Sequence, residues 1–265
     1  MALAVVGLPD LNPGAGRPVT SLLMFPVMVI GVALVGIALT AVTEGAGGLR
    51  ALRSRLTRRR TGMWFLAVLI PPTGILLVLE AFRTFVSPQY APQFLIYGIA
   101  AGILAGLFEE LGWTGFAYPR MRSRSGALRA ALLLGVLWGI WHLPVVDSLG
   151  AASPHGRYLP AFFASFLALV IALRVLIAWV YVNTGSLSLA QLLHASSTGF
   201  LVVFSPPGVS AGQEALWYLV YAALLWLVVG VVVLVYGAGL TSGPGRQPGR
   251  ERAGSRTEAR ASDAL

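Results

Sequence analysis

Residues 93–113 read QFLIYGIAAGILAGLFEELGW, an apolar run broken near its end by two adjacent acids, Glu109 and Glu110. A helix of about 20 residues spans roughly 30 Å, which is the thickness of the hydrocarbon core of a bilayer. Acidic side chains are costly inside a membrane, and those that occur there are usually functional. The run therefore predicts a transmembrane helix that carries part of a functional site.

The whole chain has the composition of a membrane protein, since 57% of its 265 residues are hydrophobic and only 11% are charged. Apolar stretches of suitable length predict an all-α, polytopic transmembrane helical bundle of about seven spans, with an active-site cavity between the helices. The predicted spans are Leu22–Val42, Met63–Phe82, Gln93–Trp113, Ala127–Val146, Ala161–Val182, Leu187–Phe204 and Glu214–Tyr236.

All 19 basic residues are arginines, and 15 of them lie in alternate connections, at residues 50–60, at residues 120–129 and after Tyr236. Under the positive-inside bias this pattern predicts an odd number of spans, with the C-terminus in the cytoplasm of a multi-pass protein of the cell membrane. We interpret these arginines as determinants of topology that contact anionic lipid of the bilayer, and we expect no binding of nucleic acid.

The chain has no cysteine, which excludes disulfides, thiol nucleophiles, iron–sulfur clusters and thiolate zinc sites. Residues 1–20 lack the pattern of a signal peptide, so the first span is expected to be retained. Residues 1–240 are predicted to form one transmembrane domain, and the Gly-, Arg- and Ser-rich residues 241–265 a disordered basic cytoplasmic tail. There is no internal repeat of the kind common in transporters.

The candidate chemistry lies in Glu109, Glu110, His142 and His194, which belong to three different predicted spans. Neighbouring residues on a helix point about 100° apart, so the two glutamates are expected to have different roles. Glu109, His142 and His194 could bind Zn²⁺ as a catalytic site with one open position. Alternatively, a glutamate could act as general base on a water that the imidazoles help to hold.

Other polar residues of the spans have simpler interpretations. Glu80 and Arg83 are one turn apart and predict a local ion pair, and Glu214 is expected at a span edge near water. Arg174 lies deep in an apolar segment, and we predict an ion pair with one of the paired glutamates. Residues 208–212 spell Gly-x-Ser-x-Gly but lie in a Pro- and Gly-rich connection, so we interpret them as a plain loop.

Three segments together resemble a known pattern: residues 109–116 (EELGWTGF), residues 138–142 (WGIWH) and residues 194–198 (HASST). In this order they resemble the three motifs of the CPBP intramembrane protease family, which is also called Abi or CAAX-protease-like. The resemblance covers roughly residues 99–204. It implies a membrane endopeptidase in which Glu109 and His142 activate water and Glu110 has a supporting role. It also implies that His194 stabilises the attacked carbonyl.

The chain departs from that family pattern at two positions. The arginine of the family's first motif is replaced by Thr114, and the asparagine of its third motif is replaced by Thr198, which keeps a hydroxyl at a position the family uses in catalysis. Loss of one donor to an oxyanion costs on the order of 100-fold in rate, so these changes predict reduced activity. We hypothesise that Arg174 replaces the missing cation from a neighbouring helix.

Straight helices would place Glu110, His194 and His142 at different depths in the membrane. We therefore expect tilted helices or a partly buried segment around residues 112–125, with a water-filled cavity open to the cytoplasm.

The sequence thus predicts an intramembrane endopeptidase of a membrane-associated peptide or protein, with metal assistance left open. The alternatives are a non-catalytic member of the same fold that binds a membrane partner, and a small-solute or proton-coupled transporter. Prenylated C-terminal peptides, propeptides and membrane-anchored regulators all remain possible substrates. The absence of lysine beside abundant Ala, Gly and Arg suggests a bacterial source.

Overall fold

The computed structural model describes residues 19–58 and 62–241, and within these ranges the regular structure is helical, without strands. The first helix, α1, is long and contains one non-helical residue, Gly45. A short 3₁₀ helix, Gly62–Leu69, runs directly into α2. The α-helices are α1 (Val19–Leu56), α2 (Ile70–Phe85), α3 (Tyr97–Gly112), α4 (Tyr118–Ser125), α5 (Ala127–Trp141), α6 (Leu159–Thr184), α7 (Leu187–Val203) and α8 (Ala211–Tyr236).

The predicted polytopic helical bundle is confirmed, and the apolar helices indicate a multi-pass membrane protein. Among the described residues, four helical segments are long and apolar enough to cross a bilayer: Met24–Leu56, Gly62–Phe85, Gly156–Thr184 and Ala211–Tyr236. The helices α3, α5 and α7 have only 16, 15 and 17 residues. These three shorter helices carry the acidic and imidazole residues of the predicted site.

Several predicted span boundaries differ from the ends of the helices, and one of these differences concerns a site residue. The fourth span was expected to reach Val146, but α5 ends at Trp141, with His142 as its C-cap residue. The reason is Pro144, because a proline has no backbone N–H and disfavours helical geometry in the residue before it. His142 therefore lies at the end of a helix and not in its interior.

The core is centred on α6, which packs between α5 and α8. In the most apolar part of the α6 segment, 67% of the residues are buried within the protein. In the other three long segments, only 28–33% of such residues are buried. Arg174 lies in the middle of α6 and is 1% exposed. Its side chain therefore faces protein and not lipid.

Small residues bring α3 and α7 into close contact. Gly98, Gly102 and Gly106 repeat every four residues on one face of α3, and a Cβ atom added to Gly102 would lie 2.5 Å from the Cα atom of Gly199 on α7. Such small-residue stripes let two helix backbones approach each other in a membrane. Because Glu110 is one helical turn beyond Gly106, this packing places its carboxylate against α7.

The segment between the third and fourth spans is partly buried, which agrees with one of the two expectations, the other being helix tilt. After α3 the chain makes a π-helical turn, Trp113–Ala117, and continues into the short helix α4. The Tyr118 side chain is 1% exposed, and its hydroxyl donates a hydrogen bond to the carbonyl of Ala127 at 3.3 Å. Single π-turns inside α-helices often mark functional sites.

The interpretation of residues 208–212 as a loop is correct for residues 208–210, whereas residues 211 and 212 begin α8. Ser210 is the N-cap of α8, and it forms a capping box with Gln213. The predicted tail at residues 241–265 lies outside the described residues except for its first residue, Thr241. Residues 1–18 lie outside them as well, so the tail and the retained N-terminal segment stay predictions.

Candidate active site

The carboxylate of Glu110 is fully buried and has the most partners. The Arg174 guanidinium binds it in a bidentate manner, with Nη1 at 2.9 Å from Oε2 and Nη2 at 2.8 Å from Oε1. The Nδ1 atom of His194 lies 2.8 Å from Oε1, and the Thr114 hydroxyl donates to Oε2. The predicted ion pair between Arg174 and a paired glutamate is therefore present, and the partner is Glu110.

The guanidinium of Arg174 also contacts the residue that departs from the family pattern. Its Nη1 donates to the Thr114 hydroxyl oxygen at 3.2 Å, so the cation lies beside position 114. The guanidinium carbon lies 4.3 Å from the centre of the Trp138 ring, which is within the range of a cation–π contact. Arg174 thus supplies a positive charge next to a position where the family has an arginine.

Glu109 has a different environment, as expected from the 100° rotation between adjacent residues. Its Oε2 atom accepts hydrogen bonds from two indole N–H groups, of Trp138 at 2.8 Å and of Trp113 at 3.3 Å. Its Oε1 atom has no hydrogen bond to the described residues, and the side chain is 4% exposed. One oxygen of Glu109 is therefore fixed, and the other remains for water or substrate.

Both histidines contact the ring of Trp138, but in the described residues only His194 forms a hydrogen bond with a glutamate. The Trp138 ring packs edge-on against His194 at 4.8 Å and against His142 at 5.7 Å between ring centres. His142 Nδ1 lies 2.7 Å from the Trp138 carbonyl oxygen. A carbonyl only accepts, so Nδ1 carries the hydrogen and Nε2 has the lone pair in a neutral ring.

Thr198 follows His194 by one helical turn on α7, as the sequence predicted. Its side chain is half-buried, and its hydroxyl has no hydrogen bond to the described part of the chain. The hydroxyl is thus available to a ligand on the face that also carries His194.

The predicted zinc ligands are not assembled as a metal site. In the part of the chain that the structure describes, no three His, Asp or Glu side chains are grouped so that they could hold a metal ion. The Nδ1 atom of His194 is engaged by Glu110, and that of His142 by a backbone carbonyl. These contacts leave the Nε2 atom of each histidine as a candidate donor, since a metal-binding imidazole usually has its other nitrogen held in this way. In the described residues, however, Glu109, His142 and His194 are not grouped closely enough to fit a zinc ion, and zinc dependence stays a prediction.

The site is closed. Glu109 and Glu110 are almost completely buried, and two open grooves on the described helices lie elsewhere. One, of about 490 Å³, is lined by residues such as Trp64, Trp179 and Tyr236. The other, of about 320 Å³, is lined by α2 and α8, and neither touches the glutamates or histidines.

Sequence reasoning missed the two indole donors and the glycine stripe of α3. Trp113 is four residues after Glu109, and the glycines repeat every four residues, so helical spacing could have revealed both. It also misjudged Glu214, which was expected near water but is fully buried. The predicted Glu80–Arg83 ion pair is present at 2.7 Å, with both side chains about half exposed.

Comparison with known proteins supports the resemblance found from the motifs. Residues 91–200 match the family model described as type II CAAX prenyl endopeptidase Rce1-like. The chain is also 25% identical over 134 residues to CAAX prenyl protease 2 of Methanococcus maripaludis. That alignment covers 50% of this chain and 47% of the relative, so the chain spans about half the length of the curated relative it matches.

Proposed function

We propose that this protein, whose residues 91–200 match the CAAX prenyl endopeptidase family, is an intramembrane endopeptidase with Glu109 as its general base. The observation that carries the proposal is the asymmetry of the two glutamates. Glu110 is bound on both oxygens by Arg174, His194 and Thr114, whereas Glu109 has one oxygen held and the other without a partner in the described residues.

Glu109 takes a proton from a water that attacks the carbonyl carbon of the scissile peptide bond. It returns this proton to the leaving amine when the tetrahedral intermediate collapses, so the carboxylate is regenerated. The indole donors of Trp113 and Trp138 keep Oε2 in place, and Oε1 is the proton acceptor. The lone pair on His142 Nε2 accepts a hydrogen bond from the same water.

His194 and Thr198 stabilise the oxygen that becomes negative in the intermediate. Glu110 accepts a hydrogen bond from His194 Nδ1, which fixes the orientation of the ring. When both ring nitrogens carry a hydrogen, Nε2 donates to the oxygen of the intermediate. The Thr198 hydroxyl is a second donor from one turn further along α7. The two donors together form an oxyanion hole. Because a hydroxyl rotates more freely than an amide, this oxyanion hole is less preorganised than one with an asparagine at position 198.

Arg174 and Glu110 are positioning residues in this mechanism. Their bidentate pair joins α6 to α3, and the same guanidinium packs on Trp138, which donates to Glu109. The threonine at position 114 is therefore compensated from α6. No step of the mechanism passes through a metal ion.

The substrate class we propose is a peptide segment associated with the membrane, because the site lies within a bundle of apolar helices. Alternating arginine-rich connections support a cytoplasmic C-terminus and a site that opens toward the cytoplasm. Since Glu109 is 4% exposed, substrate and water gain access when the neighbouring helices move apart.

The test is cleavage of a library of quenched peptides by the detergent-purified protein and by Glu109→Gln. The variant should lose at least about 100-fold in kcat, since a general base contributes roughly 10²- to 10⁴-fold. Its melting temperature should be unchanged. Glu80→Gln, which alters a half-exposed acid, is the matched control and should cleave as the wild type does.

The second candidate is a non-catalytic member of the same fold that binds a membrane partner, and the replacement of the family's asparagine by Thr198 favours it. In that case the folded wild type cleaves nothing, while Thr198→Asn gains cleavage. Equal cleavage by wild type and Glu109→Gln would overturn the proposed role of Glu109.

A further inference from the structure

A second buried acid lies outside the candidate active site, at the N-terminal end of α8. Glu214 is fully buried, and its two oxygens accept hydrogen bonds from the backbone N–H groups of Ala151 at 2.8 Å and Ala152 at 2.9 Å. The Nε2 atom of His155, which is also buried, lies 3.1 Å from Oε2. The carboxylate therefore fastens the α5–α6 loop to α8.

The loop is shaped to receive this carboxylate. Gly150 has a positive φ of 79°, and a Cβ atom there would lie 2.5 Å from the Glu214 oxygens, so only glycine fits. Within the loop, Asp147 accepts a hydrogen bond from the His155 backbone N–H at 2.8 Å. The loop thus closes on itself as well as on α8.

The α5–α6 loop begins at the C-terminal end of α5, next to the predicted catalytic residue His142. His142 is the C-cap of α5, and its carbonyl accepts a hydrogen bond from the backbone N–H of Val145 in the loop. Helix ends fray unless the following chain holds them. The segment that holds this helix end is the one that Glu214 fastens.

A second connection between His155 and His142 runs through packed aromatic rings of α6. The His155 ring stacks on Phe162 at 3.7 Å with an interplanar angle of 15°. Phe166, one turn further along α6, lies 6.3 Å from Phe162 and 5.0 Å from the His142 ring. His142 is therefore connected to His155 both along the chain and through packed rings.

We propose that Glu214 and His155 are positioning residues for His142. Together they hold the α5–α6 loop and the ring stack in the arrangement that orients the His142 imidazole. The catalytic consequence of this orientation rests on the endopeptidase function proposed above. The orientation itself is a property of the fold that can be measured without any substrate.

The chain contains three histidines, so protein labelled with ¹⁵N-histidine gives one set of imidazole signals for each of His142, His155 and His194. The signals are assigned from single His→Gln variants. In Glu214→Gln the amide presents N–H groups in place of one of the two accepting oxygens, so the loop donors at that oxygen lose their acceptor. The signals of His142 should then shift together with those of His155, while those of His194, which is held by Glu110, should stay.

His155→Phe is the second variant, because it keeps a stacked ring and removes the two ring nitrogens that face Glu214 and Asp147. It should shift the His142 signals in the same direction, and Glu80→Gln should shift none. Unmoved His142 signals in a folded Glu214→Gln or His155→Phe protein would overturn the proposal, as would equal shifts of all three histidines, which indicate general loosening.

Kinetics supply the other half of the test. Glu214→Gln should lower kcat roughly 10- to 100-fold with KM unchanged, because small misplacements of a reacting group cost that much without affecting binding. If the wild type cleaves no peptide although the His142 signals shift, the endopeptidase function is refuted and the positioning of His142 stands. Shifted signals with full activity would refute the catalytic consequence.

Discussion

Replacing Arg174 by Gln should remove the cation that Glu110 depends on, and the structure sets the size of the effect. The ion pair consists of two hydrogen bonds of 2.9 and 2.8 Å, and both side chains are at most 1% exposed. Breaking a buried ion pair from one side costs about 3–5 kcal/mol, because a lone charge remains in a low-dielectric environment. For a chain of this size that corresponds to a fall on the order of 10 °C in melting temperature.

The pair between Arg83 and Glu80 provides a control of similar length in a different environment. Its oxygen and nitrogen are 2.7 Å apart, but the two side chains are about half exposed. Exposed pairs of this kind contribute about 0–1 kcal/mol. Arg83→Gln should therefore leave the melting temperature nearly unchanged, which separates the effect of burial from that of simply losing a charge.

The decisive variant combines Arg174→Gln with Thr114→Arg. In the wild type, Thr114→Arg places a second guanidinium beside Arg174 and should lower the melting temperature. In the Arg174→Gln background the same change supplies a cation one turn from Glu110 and should raise it. Thermal unfolding in one detergent, followed by circular dichroism at a fixed scan rate, measures all four proteins of this cycle.

The direction in which Thr114→Arg changes the melting temperature in each background tests whether Arg174 replaces a cation at position 114. If the substitution lowers the melting temperature by the same amount in both backgrounds, Arg174 does not replace a cation at position 114. If Arg174→Gln melts like the wild type, the ion pair does not stabilise the fold. A partial loss in Arg174→Lys is also expected, because an ammonium group cannot bind both carboxylate oxygens in the geometry of a guanidinium.

Three further results are expected. Gly102→Val should separate α3 from α7 and abolish folding or activity, because its Cβ atom would meet the α7 backbone. Gly230→Ala is the control, since no atom lies within 4 Å of an added Cβ there, and it should be neutral or stabilising in thermal melts. Trp138→Phe should lower kcat more than Trp113→Phe, because its N–H lies 2.8 Å and not 3.3 Å from Glu109, and a reversed order in peptide cleavage would contradict this role. A zinc chelator should leave cleavage unchanged if hydrolysis proceeds as proposed, and loss of activity restored by added Zn²⁺ would contradict it.

Much of the site could be predicted from the sequence, because each motif is local. Glu109 and Glu110 are adjacent, and Thr198 follows His194 by one turn, so the period of a helix already separates or aligns these side chains. An arginine among apolar residues needs an anion, and this requirement predicted a pairing between Arg174 and one of the glutamates. It did not decide which glutamate is the partner.

The sequence alone determined that the chain is a bundle of apolar helices with acids and imidazoles on three of them, because hydrophobicity and helical spacing depend on residues near one another in the chain. Only the tertiary structure decided that Arg174 binds Glu110, that two indoles hold Glu109, and that Glu214 fastens the loop after His142. Those contacts join residues far apart in sequence. Their partners are determined by how closely the helices pack, as at the glycines of α3, and by where each helix ends.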